Sequence, residues 1–202
     1  MFVPIFLQIF KIRSDLLPIT LSSEALINSH FIFDFKEINI DTSPYLSVDW
    51  EQYKCSCIQH HLTEQADLHE NEGFPDSLCM ENTAIYQKFF TDDEIDFKEL
   101  ENQLSLEVIT VSAIMQKPGN IIPWHRDIFY QITKKFPSRK EEKVRANMFL
   151  TDWENGQFLQ FDDEVITHWK KNTGYMFNDQ VLHLSSNAGL KNKITLQVSG
   201  FY

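Results

Sequence analysis

Beyond Leu106 the chain settles into an alternation of apolar and polar positions with a period of two, as in strands that turn one face to a core. Glu107-Val108-Ile109-Thr110-Val111-Ser112-Ala113-Ile114-Met115 is dense in β-branched residues, and Lys117-Pro118-Gly119-Asn120 ends it as a turn. The same pattern predicts strands over 121–127, 144–150, 157–161, 165–169, 175–177 and 193–201, with a strand-like run over 178–184. Asn155-Gly156, Asn172-Thr173-Gly174 and Asn187-Ala188-Gly189 supply turns, and a tight turn is expected over 185–191. Many short strands punctuated in this way predict a mostly β jelly roll with flanking helices rather than a sheet of parallel βαβ units.

The first half carries helical signals instead. Ser22-Ser23-Glu24 reads as a helix start before Ala25-Leu26-Ile27, and Asp76 or Ser77 would cap a helix running towards Phe90. Asp92-Asp93-Glu94 puts acids in a first turn, with Ile95, Phe97 and Leu100 following at helical spacing. The expected organisation is a mixed, helical extension over 1–105 packed on a jelly-roll core over 106–202, one domain overall. The apolar run at the first ten residues is too short to span a bilayer and lacks a basic flank, so it reads as a strand or edge segment.

Composition narrows the classes of function. Hydrophobic residues make up 43% of 202, and 17 Phe suit a wide interior. A net charge of -11 disfavours tracking along a phosphate backbone, so no extended nucleic acid is expected as a partner, and the shortness of the apolar start leaves no membrane expected either. Three Cys do not make a disulfide framework and predict a reducing, cytoplasmic setting.

The chemistry concentrates in Pro123-Trp124-His125-Arg126-Asp127. On a strand, His125 and Asp127 share a face while Arg126 points away. An imidazole and a carboxylate are two parts of a facial two-His, one-carboxylate metal site, whose remaining positions stay open for reactants. On its own the pair also suits a plain His–carboxylate hydrogen bond on a surface strand. His183 is the candidate third ligand. Past the turn that follows it, Lys193, Thr195, Gln197 and Ser199 share one face of a strand, with Ile194, Leu196 and Val198 on the other; antiparallel pairing across the turn would bring Lys193 and Thr195 near His183. A polar inner face of this kind suits a ligand-lined barrel. Val144-Arg145-Ala146-Asn147-Met148-Phe149-Leu150 adds a face with Arg145, Asn147 and Phe149, and Arg145 is a second candidate for a carboxylate, or a barrel-edge Arg paired with one of the chain's many acids.

The segment from about Val108 to Tyr202 resembles the 2-oxoglutarate/Fe(II)-dependent oxygenases, in which His-x-Asp and a distal His bind iron. In that superfamily a cation and a hydroxyl after the distal His, usually Arg-x-Ser, grip the far carboxylate of 2-oxoglutarate; here the place is taken by Lys193-Ile194-Thr195. The run Gly174-Tyr175-Met176-Phe177-Asn178-Asp179, with His183 and Asn187 beyond it, looks like the aspartyl/asparaginyl β-hydroxylase-like branch and its phage-encoded members, many of which lack the carboxylate ligand that Asp127 supplies here. The resemblance implies a double-stranded β-helix (cupin-like) core, and Fe(II) on His125, Asp127 and His183. It further implies 2-oxoglutarate held by Lys193, Thr195 and Arg145, and hydroxylation of an amino-acid side chain or small metabolite with release of succinate and carbon dioxide. For a phage-encoded member it implies the host cytoplasm.

Competing readings stand beside this one. A cupin-like module could hold a metal or small acid without turnover, and a metal-dependent cupin enzyme could work without 2-oxoglutarate. Cys55, Cys57, His60, His61 and His69 could form a zinc site, although Cys-x-Cys is not the usual knuckle spacing, and a pair of small apolar residues beside surface His residues is the plainer reading. Asp179 competes with Asp127 for the metal, His30 and His168 read as structural, and Trp124 and Phe149 are candidate pocket walls. The connection over 128–143, with Lys134, Lys135, Arg139, Lys140 and Lys143, reads as a solvated loop or as a lid that attracts an anion.

Overall fold

A computed structural model describes residues 32–35, 37–56, 83–162 and 164–202. Eleven strands in that part form two antiparallel sheets: β1 (Ile32–Phe35), β2 (Lys54–Ser56), β3 (Ala84–Phe90), β4 (Glu107–Gln116), β5 (Ile121–His125), β6 (Lys143–Phe149), β7 (Gln157–Phe161), β8 (Glu164–Ile166), β9 (Gly174–Asn178), β10 (His183–Asn187) and β11 (Lys193–Phe201). Their order is β1-β9-β6-β11-β4-β3-β2 in the larger sheet and β5-β10-β7-β8 in the smaller. From β4 onward the chain passes back and forth between the sheets, apart from the β7–β8 pair within the smaller one, which is the wind of the expected jelly roll, a double-stranded β-helix. Three α-helices accompany them among the described residues: α1 (Ser43–Leu46), α2 (Phe97–Leu104) and α3 (Tyr130–Lys135).

The alternation along β11 decides what faces where. Lys193 reaches across to the smaller sheet, donating to the Phe158 carbonyl at 2.6 Å, so its face is the inner one. Thr195, Gln197 and Ser199 share it, opposite Phe149, Asn147 and Arg145 of β6 and Ile114, Ser112 and Thr110 of β4. Leu196 and Val198 point outward with Val111, Ala113, Ala146, Met148 and Met176, and meet Leu100 and Leu104 of α2 and Tyr45 of α1 in the principal core. Burying a side chain of this size stabilises by about 1.5–3 kcal/mol. The main apolar core therefore lies outside the roll, leaving the space between the sheets for polar groups, with a smaller aromatic cluster of Phe149, Phe161, Trp169 and Phe177 closing one end of it.

Helix α2 starts where Asp96 accepts from the backbone N–H groups of Lys98 and Glu99 at 2.8 and 3.1 Å, not at the expected acids over 92–94. Asp92 instead accepts from the Phe97 N–H at 3.1 Å. Residues 84–90 form β3 against β4, so no helix runs up to Phe90; Ile85, Tyr86, Phe89 and Phe90 are side chains that pack well on a pleated surface. The chain stays extended through Ser185, Ser186 and Asn187, where a turn was expected, because β10 pairs with both β5 and β7. The segment over 165–169 keeps strand structure only to Ile166; His168 takes a left-handed φ of 58° and stacks on Trp153 at 4.0 Å, a structural role. The helix start at Ser22-Ser23-Glu24, the first ten residues and His30 lie outside the described residues. Among the described residues no helix is long and apolar enough to cross a membrane.

Candidate metal centre

β5 is an edge strand, which tolerates Pro123 because an edge position can do without a ladder N–H. It pairs with β10 in a register that sets His125 opposite His183, and the two rings lie 4.1 Å apart. Asp127 follows two residues beyond His125, past the strand end, and is buried. One ligand atom from each of His125, Asp127 and His183 lies within 4.8 Å of the others, and this group could hold a metal ion.

Local bonding prepares the three side chains for that task. Each imidazole donates Nδ1–H to the carbonyl two residues earlier in the chain, His125 to Pro123 at 2.8 Å and His183 to Val181 at 3.0 Å. That fixes the tautomer and leaves the lone pair on Nε2. Burial pushes both imidazoles below the ordinary histidine range, His183 to about 3, so both are neutral as ligands must be. Burial alone would raise the Asp127 carboxyl, but the Arg145 guanidinium beside it outweighs burial and holds it below its usual value. Its Oδ1 accepts from Arg145 Nη1 at 3.0 Å, while Oδ2 is buried with no hydrogen-bond partner among the described residues. A buried carboxylate oxygen left unmatched is costly, and a cation between two free Nε2 atoms would match it. The donor set fits iron(II) or a similar divalent ion.

A cleft of about 430 Å³ opens beside His125 and Asp127. Gln87, Ser112, Gln197 and Arg145 line it from the larger sheet, and Ile128, Phe129 and Ile132 cover it. Phe129 takes a left-handed φ of 47° just ahead of α3.

Lys193 and Thr195 do not reach His183 by pairing across a turn. β10 and β11 belong to different sheets, and the connection between them crosses the roll, so Lys193 approaches β10 face to face. Its ammonium is buried, donates to Ser185 Oγ at 2.7 Å as well as to Phe158, and stands 5.1 Å from the Trp169 ring. No carboxylate among the described residues pairs with it, and burial pulls its pKa down from 10.5 to about 7. Thr195 lies buried on the same inner face. Arg145 is no barrel-edge Arg but a residue of the interior, bonded to Asp127, Gln197 and Ser199.

Other candidates fall away from the centre. Asp179 accepts from Gln180 and takes no part in the triad. Phe149 stacks on Trp169 at 4.0 Å within the interior cluster, and Trp124 is half-buried outside the cleft lining. Arg139 is engaged by Glu107 and Glu141 and lies 3.7 Å over the Phe201 ring, so it staples the connection to the body. Cys55 is exposed on β2, whereas Cys57, His60, His61 and His69 lie outside the described residues. Ser185 and Gln116 were missed: Ser185 Oγ donates to Gln116 Oε1 at 2.7 Å while accepting from Lys193. The only signal for them was polarity on strands that pack on both sides.

No protein-family model matches the chain, and a search of the curated proteins found no match. Solved structures show a distant likeness. The viral collagen prolyl hydroxylase of Paramecium bursaria Chlorella virus-1, in its 2-oxoglutarate complex, is 18% identical over 72% of this chain and 93% of that one, with a TM-score of 0.42. A Pseudomonas putida prolyl-4-hydroxylase is 14% identical over 74% and 91%, with a TM-score of 0.41. A predicted oxalate decarboxylase of Thermotoga maritima is 9% identical over 59% and 82%, with a TM-score of 0.39.

Proposed function

We propose that the chain is a mononuclear iron(II) oxygenase that uses 2-oxoglutarate as co-substrate and hydroxylates an amino-acid side chain or small metabolite. The observation that carries this reading is the meeting of His125, Asp127 and His183 with two Nε2 atoms and one carboxylate oxygen left for a cation. Bound iron would supply oxygen activation coupled to decarboxylation of 2-oxoglutarate to succinate and carbon dioxide.

The chain's own residues would do the rest. Lys193 is a buried ammonium with no acid beside it among the described residues, an arrangement that suits the far carboxylate of a dicarboxylic acid, with the Thr195 hydroxyl two residues on. The interior cluster around Trp169 and Phe149 keeps water from that end. Arg145 orients Asp127 through Oδ1 and leaves Oδ2 for the metal. The run over 174–179 supports placing the chain near the aspartyl/asparaginyl β-hydroxylase-like branch, and ferrous iron fits a reducing, cytoplasmic setting.

Anaerobic addition of Fe(II) and 2-oxoglutarate should produce a weak visible charge-transfer band, and admission of oxygen should then yield succinate. Asp127→Ala should abolish succinate formation while circular dichroism stays unchanged. Iron binding without the band, or a band without succinate, would sink the proposal.

A further inference from the structure

The interior of the roll holds more positive charge than a metal and 2-oxoglutarate together require, and the meaning of that excess rests on the oxygenase reading. A guanidinium presents five N–H donors. In Arg145, Nε–H goes to Ser199 Oγ at 3.1 Å, and Nη1 donates to Asp127 Oδ1 at 3.0 Å and Gln197 Oε1 at 2.9 Å. Nη2, with two donors, has no partner among the described residues, and Arg145 lines the cleft. Phe129 of the covering segment lies 5.3 Å from the guanidinium carbon. Among the residues that line the cleft, Asp127 and Arg145 alone carry a full charge, because a histidine that donates Nδ1–H to a carbonyl and ligates metal through Nε2 is neutral.

The charges do not cancel. A divalent ion, Lys193 and Arg145 set against Asp127 leave three positive charges, and the two carboxylates of 2-oxoglutarate remove two of them. One remains, beside apolar walls at Ile122, Ile128 and Phe129, where an unmatched charge is costly. Nor is an acid left for a cationic substrate: Asp127 gives Oδ1 to Arg145 and would give Oδ2 to the metal.

We infer that the substrate bears a carboxylate and no ammonium beside it, and that this carboxylate sits on Nη2 of Arg145. The class is an organic acid or an acid whose amine is acylated; free α-amino acids and lysine side chains are disfavoured. The amide–hydroxyl pair Gln87 Nε2 to Ser112 Oγ, 3.1 Å long and on the same cleft wall, offers a neutral polar contact for the rest of the molecule. Arg145 is then a substrate-binding residue that also positions a metal ligand.

The probes are benzoate, benzamide and benzylamine, three fragments of one shape and different charge. Manganese(II)-loaded protein saturated with 2-oxoglutarate is titrated with each, and broadening of the fragment's proton resonances by the nearby ion reports binding in the cleft. Benzoate is expected to bind at least about tenfold more tightly than either neighbour, the effect of one matched charge of roughly 1.4 kcal/mol. Arg145→Gln should remove the preference for benzoate over benzamide. Equal binding of the three, broadening by none, or an unchanged preference in Arg145→Gln overturns the inference. Should that variant fail to fold, the ranking of the three probes on the wild-type protein decides by itself. Manganese and 2-oxoglutarate binding are measured first on the same samples: their absence overturns the functional reading and this inference together, whereas their presence without a benzoate preference overturns the inference alone.

Discussion

Lys193 is 1% exposed and, among the described residues, has two neutral acceptors but no acid, so its charge is held at a cost. Its pKa stands at about 7 in the folded protein against 10.5 for an ordinary lysine. Between those values the unfolded chain keeps a proton that the folded protein has lost, so stability rises with pH across that window, and the penalty is full below about 7. At about 1.4 kcal/mol per pH unit, the penalty is on the order of 5 kcal/mol at most. Lys193→Met should therefore raise the stability of the ligand-free protein near pH 6 by a few kcal/mol, with the gain fading towards pH 10, as read by urea denaturation. The same variant should weaken 2-oxoglutarate binding by more than about tenfold, equivalent to at least about 1.4 kcal/mol. Near pH 8 the wild-type protein should take up a proton on binding it, measurable by calorimetry in buffers of different ionisation heat. A variant less stable at pH 6, or binding without proton uptake, would count against this role for Lys193.

At the scale of elements, β11 carries the site and also its tightest constraint. Between Ser199 and Gly200 its register against β4 slips by one, and a Cβ at Gly200 would overlap the carbonyl of Glu107. Gly200→Ala must push the strands apart and should destabilise by about 2 kcal/mol. It should also shift Ser199, and with it the bond from Arg145 Nε, so a lowered melting temperature is expected together with weaker manganese binding; a fully native melting curve would refute this. The same strand explains how much could be read from the sequence. Its alternation shows without coordinates which residues face inward, and His125, Asp127 and His183 stand out as metal-ligand types on strands. What local pattern does not carry is the sheet a strand joins. The short link from β10 to β11 looks like a hairpin, and only the packing of the whole roll sends its two arms to opposite sheets. Likewise Asp92, Asp93, Glu94 and Asp96 offer similar capping chemistry, and backbone geometry chooses Asp96. Arg139 belongs to a run of cations in sequence, yet Glu107, thirty-two residues earlier, engages it.

For the molecule as a whole, a ligand that binds only the folded state shifts its unfolding. Manganese(II) at a hundredfold excess over its dissociation constant should add about 2.7 kcal/mol. For a chain of 202 residues that corresponds to a rise in melting temperature of about 5–10 °C. A chelator should reverse the rise, and Asp127→Ala should not show it; an equal rise in that variant would place the metal elsewhere.

The principal apolar core sits on the outer face of the larger sheet, against α2 and the segment around Tyr45, and not between the sheets. Folding and recognition are thereby assigned to opposite sides of the same strands. Residues such as Ser112 and Gln197 can be exchanged with little loss of apolar burial, so the preference of the cleft can drift over generations while the scaffold that bears it keeps its shape.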